Sequence, residues 1–98
     1  MQKFSVNAKL WLYPSETASW HFLTIPKEIS TKIKSLQITK RGWGSVRVEA
    51  RIGSTTWNTS IFPDTKSGTY ILPVKASVRR AENIYIEDLV KLNIMLIP

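Results

Sequence analysis

Basic residues interleaved with an aromatic ring are the main chemical signal in this sequence. Lys40, Arg41 and Trp43 lead into Arg47 and Arg51, which share one face of a predicted strand. Side chains two apart on a strand lie about 7 Å apart on one face, close to the spacing of phosphates along one nucleic-acid strand. The pattern therefore predicts sequence-independent nucleic-acid binding through this basic stretch, residues 40–51, with the Trp43 indole available to stack on a base.

Ordinary structural roles explain the same residues. Trp43 is more readily assigned to the core, because aromatic rings more often fill a protein interior than bind a ligand. Glu49 lies between Arg47 and Arg51 and can pair with both, which would leave a solvated charged face. A non-catalytic binding or interaction module is therefore the leading interpretation, and nucleic-acid binding is the alternative.

A second pair of cations lies further along the chain. Lys75 and Arg79 fall on one face of a predicted helix, and Arg80 lies beside them. They are further candidates for contacts with nucleic acid, although such residues more often mark a helix face exposed to solvent.

Residues suited to catalysis or metal binding are sparse. His21 is the only histidine and there is no cysteine, so the chain lacks a multi-histidine or cysteine zinc site. His21 is predicted to be structural. Ser60, His21 and Asp88 match the types of a catalytic triad, but no nucleophile-elbow motif surrounds the serine. Asp64, Glu87 and Asp88 lack the ligand spacing of an EF-hand, and Asp88 is expected to accept backbone N–H bonds in a turn. We expect no enzymatic activity, metal or cofactor.

The charge balance is uneven along the chain. The net charge is +7; residues 1–53 hold nine basic and three acidic side chains, and residues 54–98 hold five and four. Such an excess can attract nucleic acid, anionic lipid or an acidic protein, or can simply keep a small protein soluble. The sequence shows neither a signal peptide nor a membrane span, so a cytoplasmic protein without membrane insertion is expected.

Periodicity predicts the elements that position these residues. Alternating apolar and polar residues predict strands over residues 3–12, 20–25, 45–52, 55–62, 70–72 and 89–97. Gly53 and Ser54 fit a two-residue hairpin turn, and residues 63–68 fit a loop. Apolar residues at helical spacing follow Pro26 and Pro73. Seven residues are predicted to be buried, and Arg47, Glu49 and Arg51 are not: Val46, Val48, Ala50, Ile52, Val90, Leu92 and Ile94.

A sequence pattern that occurs once in each half of the chain relates these elements. Leu23-Thr24-Ile25-Pro26 and Tyr70-Ile71-Leu72-Pro73 each run a short strand into a proline, and the two prolines lie 47 residues apart. Proline favours an extended residue before it, and its fixed φ suits the start of a helix. The chain is therefore expected to form a single mostly-β domain over residues 1–98, in which each half supplies one strand–proline–helix corner. A monomer is favoured, because one chain supplies both halves.

Three segments resemble a known family: residues 20–26 (WHFLTIP), 57–63 (WNTSIFP) and 70–81 (YILPVKASVRRA). They are similar to the family catalogued as domain of unknown function 1905, and the resemblance covers nearly the whole chain. It implies a double-split β-barrel, a pseudobarrel of two half-units capped by two short helices. This architecture is akin to that of AbrB-like regulators, which bind DNA through basic residues near the barrel.

The resemblance adds no catalytic residues, because the family has no established activity. The chain departs from the family pattern at two turn positions. Glu87 precedes Asp88 where the family favours glycine, and Glu82-Asn83 replaces the usual small residue and glycine.

Overall fold

Six strands close into a β-barrel, and two short helices pack against it. The structure, a computed structural model, describes residues 2–17, 19–36 and 44–98. The elements are β1 (Lys3–Tyr13), β2 (Trp20–Thr24), α1 (Lys27–Leu36), β3 (Val46–Ile52), β4 (Thr55–Asp64), β5 (Thr69–Pro73), α2 (Ala76–Glu82) and β6 (Leu89–Leu96). The predicted mostly-β barrel with two short helices is confirmed. Neither helix of the described residues has the length and apolar character needed to cross a membrane.

The barrel is built from two equivalent halves. The strand order around the wall is β1-β2-β5-β4-β3-β6, and all neighbouring strands are antiparallel. The first half contributes β1-β2-α1-β3 and the second contributes β4-β5-α2-β6. Exchanging the halves leaves the strand order unchanged, so the two halves are equivalent in topology. This arrangement confirms the expected double-split barrel.

The halves meet along two walls of the barrel. On one wall β2 pairs with β5, and Leu23 lies opposite Leu72, its equivalent in the other half. On the second wall β3 pairs with β6, and Ala50 lies opposite Ile94. Because β2 and β5 are antiparallel, the chain turns into α1 and α2 at opposite ends of this strand pair.

The interior is filled by the inward residues of all six strands together with Ile33 of α1 and Val78 of α2. All seven residues predicted to be buried are buried. Arg47 and Arg51 alternate with them and are exposed, and Glu49 is half-buried. The alternation in β3 therefore indicated both the strand and its register correctly, since a shift of one residue would exchange the two faces.

Some element ends differ from the prediction. β4 continues through Pro63 to Asp64, where a loop was expected, because both residues pair with β5. An antiparallel ladder uses backbone N–H groups towards one neighbour only at alternate positions, which leaves places for a proline. Pro73 is the last residue of β5, and α2 begins at Ala76 rather than directly after the proline.

Several residues in the described turns adopt the left-handed backbone conformation that favours glycine. Gly53 has φ 58° in the two-residue turn between β3 and β4, as predicted for that hairpin. Asn83 (φ 55°) and Glu87 (φ 77°) also adopt left-handed backbone conformations. These are the two positions at which the resembled family favours glycine. Glycine adopts this conformation without the steric penalty of a Cβ atom, whereas Glu87 adopts it at a cost.

A buried serine ties α1 to the barrel. The Ser30 hydroxyl donates to the carbonyl of Ile25 (2.9 Å) and accepts the backbone N–H of Tyr70 (2.9 Å). The side chain is fully buried. One hydroxyl therefore satisfies two backbone groups that have no access to water at the end of the β2–β5 pair.

Replacing Ser30 by alanine is expected to destabilise the protein by about 1–3 kcal/mol, because the Tyr70 N–H would be left buried without an acceptor. Urea unfolding would measure the loss. Ser35→Ala is the matched control: it removes a hydroxyl from the same helix that is exposed and donates to the Lys32 carbonyl. Equal stability of the two variants would contradict a bridging role for Ser30.

Candidate functional site

A cavity of about 420 Å³ opens at the end of the barrel from which α2 leaves. We call it the α2 cavity. Its volume lies within the range of small-molecule sites. Its walls come from the segment leading into β2, from β4 and from the β5–α2 corner, and comprise Ser19, Trp20, His21, Trp57, Thr59, Pro73, Val74, Lys75, Ala76 and Arg79.

The two strand–helix corners explain why the α2 end is open. At the α1 corner, Ile25 N–H donates to the Tyr70 carbonyl (2.9 Å), and the Tyr70 side chain is completely buried. This burial raises the pKa of the Tyr70 hydroxyl. At the α2 corner, Val74 N–H donates to the His21 carbonyl (2.9 Å), but His21 is only half-buried. Hence a large ring closes one end of the barrel, and a cavity occupies the other.

Arg79 occupies the position at the α2 corner that Ser30 has at the α1 corner. Each lies five residues after the residue whose carbonyl it binds, and the Arg79 Nε–H donates to the Val74 carbonyl at 3.2 Å. The Arg79 Nη1 also lies 3.1 Å from Nε2 of His21. The α2 corner thus has a long arginine side chain at the position where the α1 corner has a compact serine.

The hydrogen bonds of His21 define its tautomer. Arg79 can only donate, so Nε2 of His21 is the acceptor. Nδ1 then carries the proton and donates to the Ser19 carbonyl at 3.2 Å. The imidazole ring thus holds the Arg79 guanidinium in place through Nε2. Two of the five N–H donors of Arg79 are used by Val74 and His21.

The electrostatic character of the cavity is one-sided. Arg79 and the exposed Lys75 contribute positive charge, and none of the described residues that line the cavity is acidic. Guanidinium and ammonium groups bind carboxylates and phosphates through charge-assisted hydrogen bonds. The indoles of Trp20 and Trp57 supply apolar ring surface beside these cations. The arrangement suits an anion attached to an apolar or planar group.

Asp88 and His21, which matched two residue types of a catalytic triad, make other hydrogen bonds in the structure. The Asp88 carboxylate accepts the Tyr85 N–H (2.8 Å) in the turn before β6, as the sequence predicted. Both nitrogens of His21 have protein partners. Asp64 accepts the Lys66 N–H and the Ser67 hydroxyl. Within the described ranges, no three His, Asp or Glu side chains gather as a metal site would require.

The residues that the sequence suggested for nucleic-acid binding lie in two separate places. Lys75 and Arg79 line the α2 cavity. Arg47 and Arg51 lie on the outer face of β3, where the Arg51 Nε–H donates to the Gly53 carbonyl (3.0 Å) and half-buried Glu49 lies between them. Lys40, Arg41 and Trp43 lie outside the described residues. Binding through residues 40–51 remains a prediction.

A groove of about 530 Å³ lies on the wall formed by β1, β6, β3 and β4. Lys3 and Arg51 line it together with Glu49. This groove therefore carries charges of both signs. It favours an anion less than the α2 cavity does, since the described residues that line that cavity include cations and no acidic residue.

Aromatic residues form a surface that the sequence analysis did not identify. Their rings lie on the outer side of β1, β2 and the end of β4, and we call this surface the aromatic face: Trp11, Tyr13, Trp20, Phe22 and Phe62. It borders a depression of about 570 Å³. Trp20, Thr59 and Pro73 line both this depression and the α2 cavity, so the two adjoin each other.

The sequence contained only a weak signal for Trp20, His21 and Trp57. Trp20 and His21 are adjacent in β2 and therefore lie on opposite faces, while Trp57 is an inward residue of β4. His21 is hydrogen-bonded at both nitrogens, as expected for a structural histidine, and it also lines the cavity. Closure of the barrel brings β2 and β4 to either side of β5.

Comparison with protein-family models assigns the chain to a family. No curated protein matches the sequence. The model of the family DUF1905, described as a domain of unknown function, matches residues 7–94 and therefore includes all six strands in whole or in part, both helices and every residue of the α2 cavity. The chain belongs to the family DUF1905.

Proposed function

We propose that the protein is a non-catalytic binding module that holds an anionic ligand in the α2 cavity. The observation that carries this proposal is the placement of Arg79. Its guanidinium is held by the Val74 carbonyl and by Nε2 of His21 at the edge of a cavity that has no acidic residue among its described walls. A fixed guanidinium binds an anion well because little side-chain entropy is lost on binding.

The cationic and the aromatic residues of the cavity each favour one part of a ligand. Arg79 and Lys75 favour a phosphate or a carboxylate. Trp20 and Trp57 favour an apolar or planar body beside that anion, since indole rings offer large flat apolar surfaces. A ligand that carries both groups would use the whole cavity, whereas an inorganic anion would use only its cationic side.

A binding role is preferred to a catalytic one because the described walls of the cavity hold no base paired with a nucleophile. Ser19 and Thr59 are the hydroxyl residues of the cavity, and His21 is its only imidazole. His21 donates through Nδ1 and accepts through Nε2, so neither nitrogen is available to take a proton from a hydroxyl. These contacts support a role for His21 in positioning Arg79.

Arg79→Gln is expected to weaken phosphate binding about tenfold or more, since hydrogen bonds to charged groups contribute about 1.5–3 kcal/mol. The measurement is an NMR titration of isotope-labelled protein, first with inorganic phosphate and then with uridine 5′-monophosphate. Signals of Arg79, His21 and the Trp57 indole are expected to shift together. The monophosphate is expected to bind more tightly than phosphate, because its base can contact an indole.

The matched control is Arg80→Gln, which makes the same charge change on the same helix outside the α2 cavity. It is expected to bind phosphate as the wild-type protein does. Equal weakening by both substitutions, or shifts spread over the basic surface without preference for the cavity, would show that net charge alone attracts the anion. Either result would overturn the proposal.

A further inference from the structure

The aromatic face is exposed although it is built mainly from large apolar rings. Trp20 is 52% exposed, Tyr13 is 50% exposed and Phe62 is 44% exposed. They lie on strands whose other side fills the barrel, so packing of the core does not require them. A cluster of exposed aromatic rings of this kind marks a surface for a partner.

The rings are arranged as a preformed platform. Trp20 and Phe22 are alternate residues of β2, and their planes are nearly parallel at 9°, with centroids 6.1 Å apart. Trp11 lies opposite Phe22 on β1, and the centroids of these two rings are 5.2 Å apart. The Trp11 indole N–H donates to the Thr24 hydroxyl at 2.9 Å, which fixes the orientation of that ring. The Trp20 and Phe22 rings thus form a stacked pair along one strand, in which Trp20 is the more exposed ring.

The platform continues directly into the cationic site. Trp20 and Pro73 form part of both the aromatic face and the α2 cavity. A group stacked on Trp20 therefore lies beside an anion held by Arg79. None of the described residues that line the depression at the aromatic face is charged. Positive charge is thus located at one end of an uncharged row of rings.

Single-stranded nucleic acid fits this combination better than other partners. Its repeating unit joins one phosphate to one planar base, and bases stack on exposed aromatic rings without a requirement for sequence. An acidic peptide would use the cations but not the ring faces, and an apolar protein surface would use the rings but not the cations. The net charge of +7 favours the same polyanionic partner.

We propose that the aromatic face and the α2 cavity together bind single-stranded nucleic acid, with a phosphate at Arg79 and Lys75 and neighbouring bases stacked on Trp20 and Phe22. This inference rests on the proposed function, because it identifies the anion in the cavity as a backbone phosphate. Duplex DNA is a poor partner for this surface, since its bases are already stacked on one another and cannot reach the rings.

The test is a titration of wild-type protein with single-stranded octathymidylate and with an eight-base-pair duplex, followed by Trp fluorescence at about 50 and 200 mM salt. Octathymidylate is expected to bind more tightly than both the duplex and uridine 5′-monophosphate. Phe22→Ala is expected to lower its affinity about tenfold, the effect of losing one stacked base. Arg79→Gln is expected to lower the affinity and to reduce the log–log salt slope by about 0.7.

Two controls separate this surface from general charge and general hydrophobicity. Tyr85→Ala removes a ring that is 65% exposed in the turn before β6 and does not line the depression at the aromatic face. Arg47→Gln combined with Arg51→Gln removes two charges from the outer face of β3. Both variants are expected to retain most of the octathymidylate affinity. Phe22→Leu, which keeps an apolar side chain in β2, provides a second variant if Phe22→Ala unfolds.

The outcomes distinguish the two proposals. If phosphate shifts the Arg79 signals but octathymidylate binds no better than the monophosphate, this inference fails and the proposed function stands. If neither ligand affects Arg79, both fail. Equal binding of the duplex, or loss of binding in the Arg47 and Arg51 variant with retention in Phe22→Ala, would place nucleic acid on another surface and overturn the inference.

Discussion

Val48→Asp is expected to prevent folding or to lower the free energy of unfolding by several kcal/mol, about 3 kcal/mol or more. Val48 is completely buried in the middle of β3, where it pairs with Thr59 of β4 on one side and with Leu96 of β6 on the other. A carboxylate there would have no cationic partner and no access to water. The barrel wall cannot move aside, because both neighbouring strands hold β3 in place.

The measurement is thermal and urea unfolding followed by circular dichroism, with solubility recorded for each variant. Arg47→Asp is the matched control, since it places the same carboxylate at the adjacent exposed position of β3. It is expected to leave stability within about 0.5 kcal/mol of wild type. A soluble Val48→Asp protein that melts near the wild-type temperature would contradict the observed register.

Leu23→Ala is expected to destabilise the protein by about 2–5 kcal/mol, the range for removing a large side chain from a packed core. Leu23 is completely buried and lies opposite Leu72, which is also completely buried, in the β2–β5 pair. This pair is one of the two walls that join the halves of the barrel. For a domain of this size the expected decrease in melting temperature is roughly 10 °C or more.

Leu89→Ala is the control for this substitution, because Leu89 is 69% exposed at the start of β6. Its melting temperature is expected to stay close to that of wild type. Combining Leu23→Ala with Leu72→Ala tests the contact itself, since neighbouring core residues show coupling energies of about 0.5–3 kcal/mol. Strictly additive losses of stability would indicate that Leu23 and Leu72 do not stabilise the β2–β5 pair through their contact.

The sequence determined much of the fold because its local signals agree with one another. Strict alternation in β3 and β6 indicated the strands, their register and their buried residues, since a strand places alternate side chains on opposite faces. Pro26 and Pro73 marked the ends of β2 and β5, and the similar segments before them indicated the duplication, although α1 begins one residue after its proline and α2 three residues after. Element ends were less certain. Pro63 and Asp64 join β4 only because β5 lies beside them.

The candidate site was only partly accessible from the sequence. Lys75 and Arg79 were identified from their place on one helix face. The relation of Arg79 to His21 depends on a contact across 58 residues of chain, which no local pattern describes. Two corners with similar sequences also carry different side chains: Ser30 and a buried Tyr70 close one end of the barrel, whereas Arg79 and His21 leave the other open.

The aromatic face shows most clearly what only the tertiary structure decided. β2 is apolar at Trp20 and Phe22 and also at Leu23, so its alternation does not say which face lies inside. Pairing with β1 and β5 turned Leu23 into the core and left Trp20 and Phe22 outside. The sequence thus determined the elements and their duplication through short-range periodicity. Closure of the barrel determined which aromatic rings were left outside and which cations they border, because those neighbours come from strands and a helix that are distant along the chain.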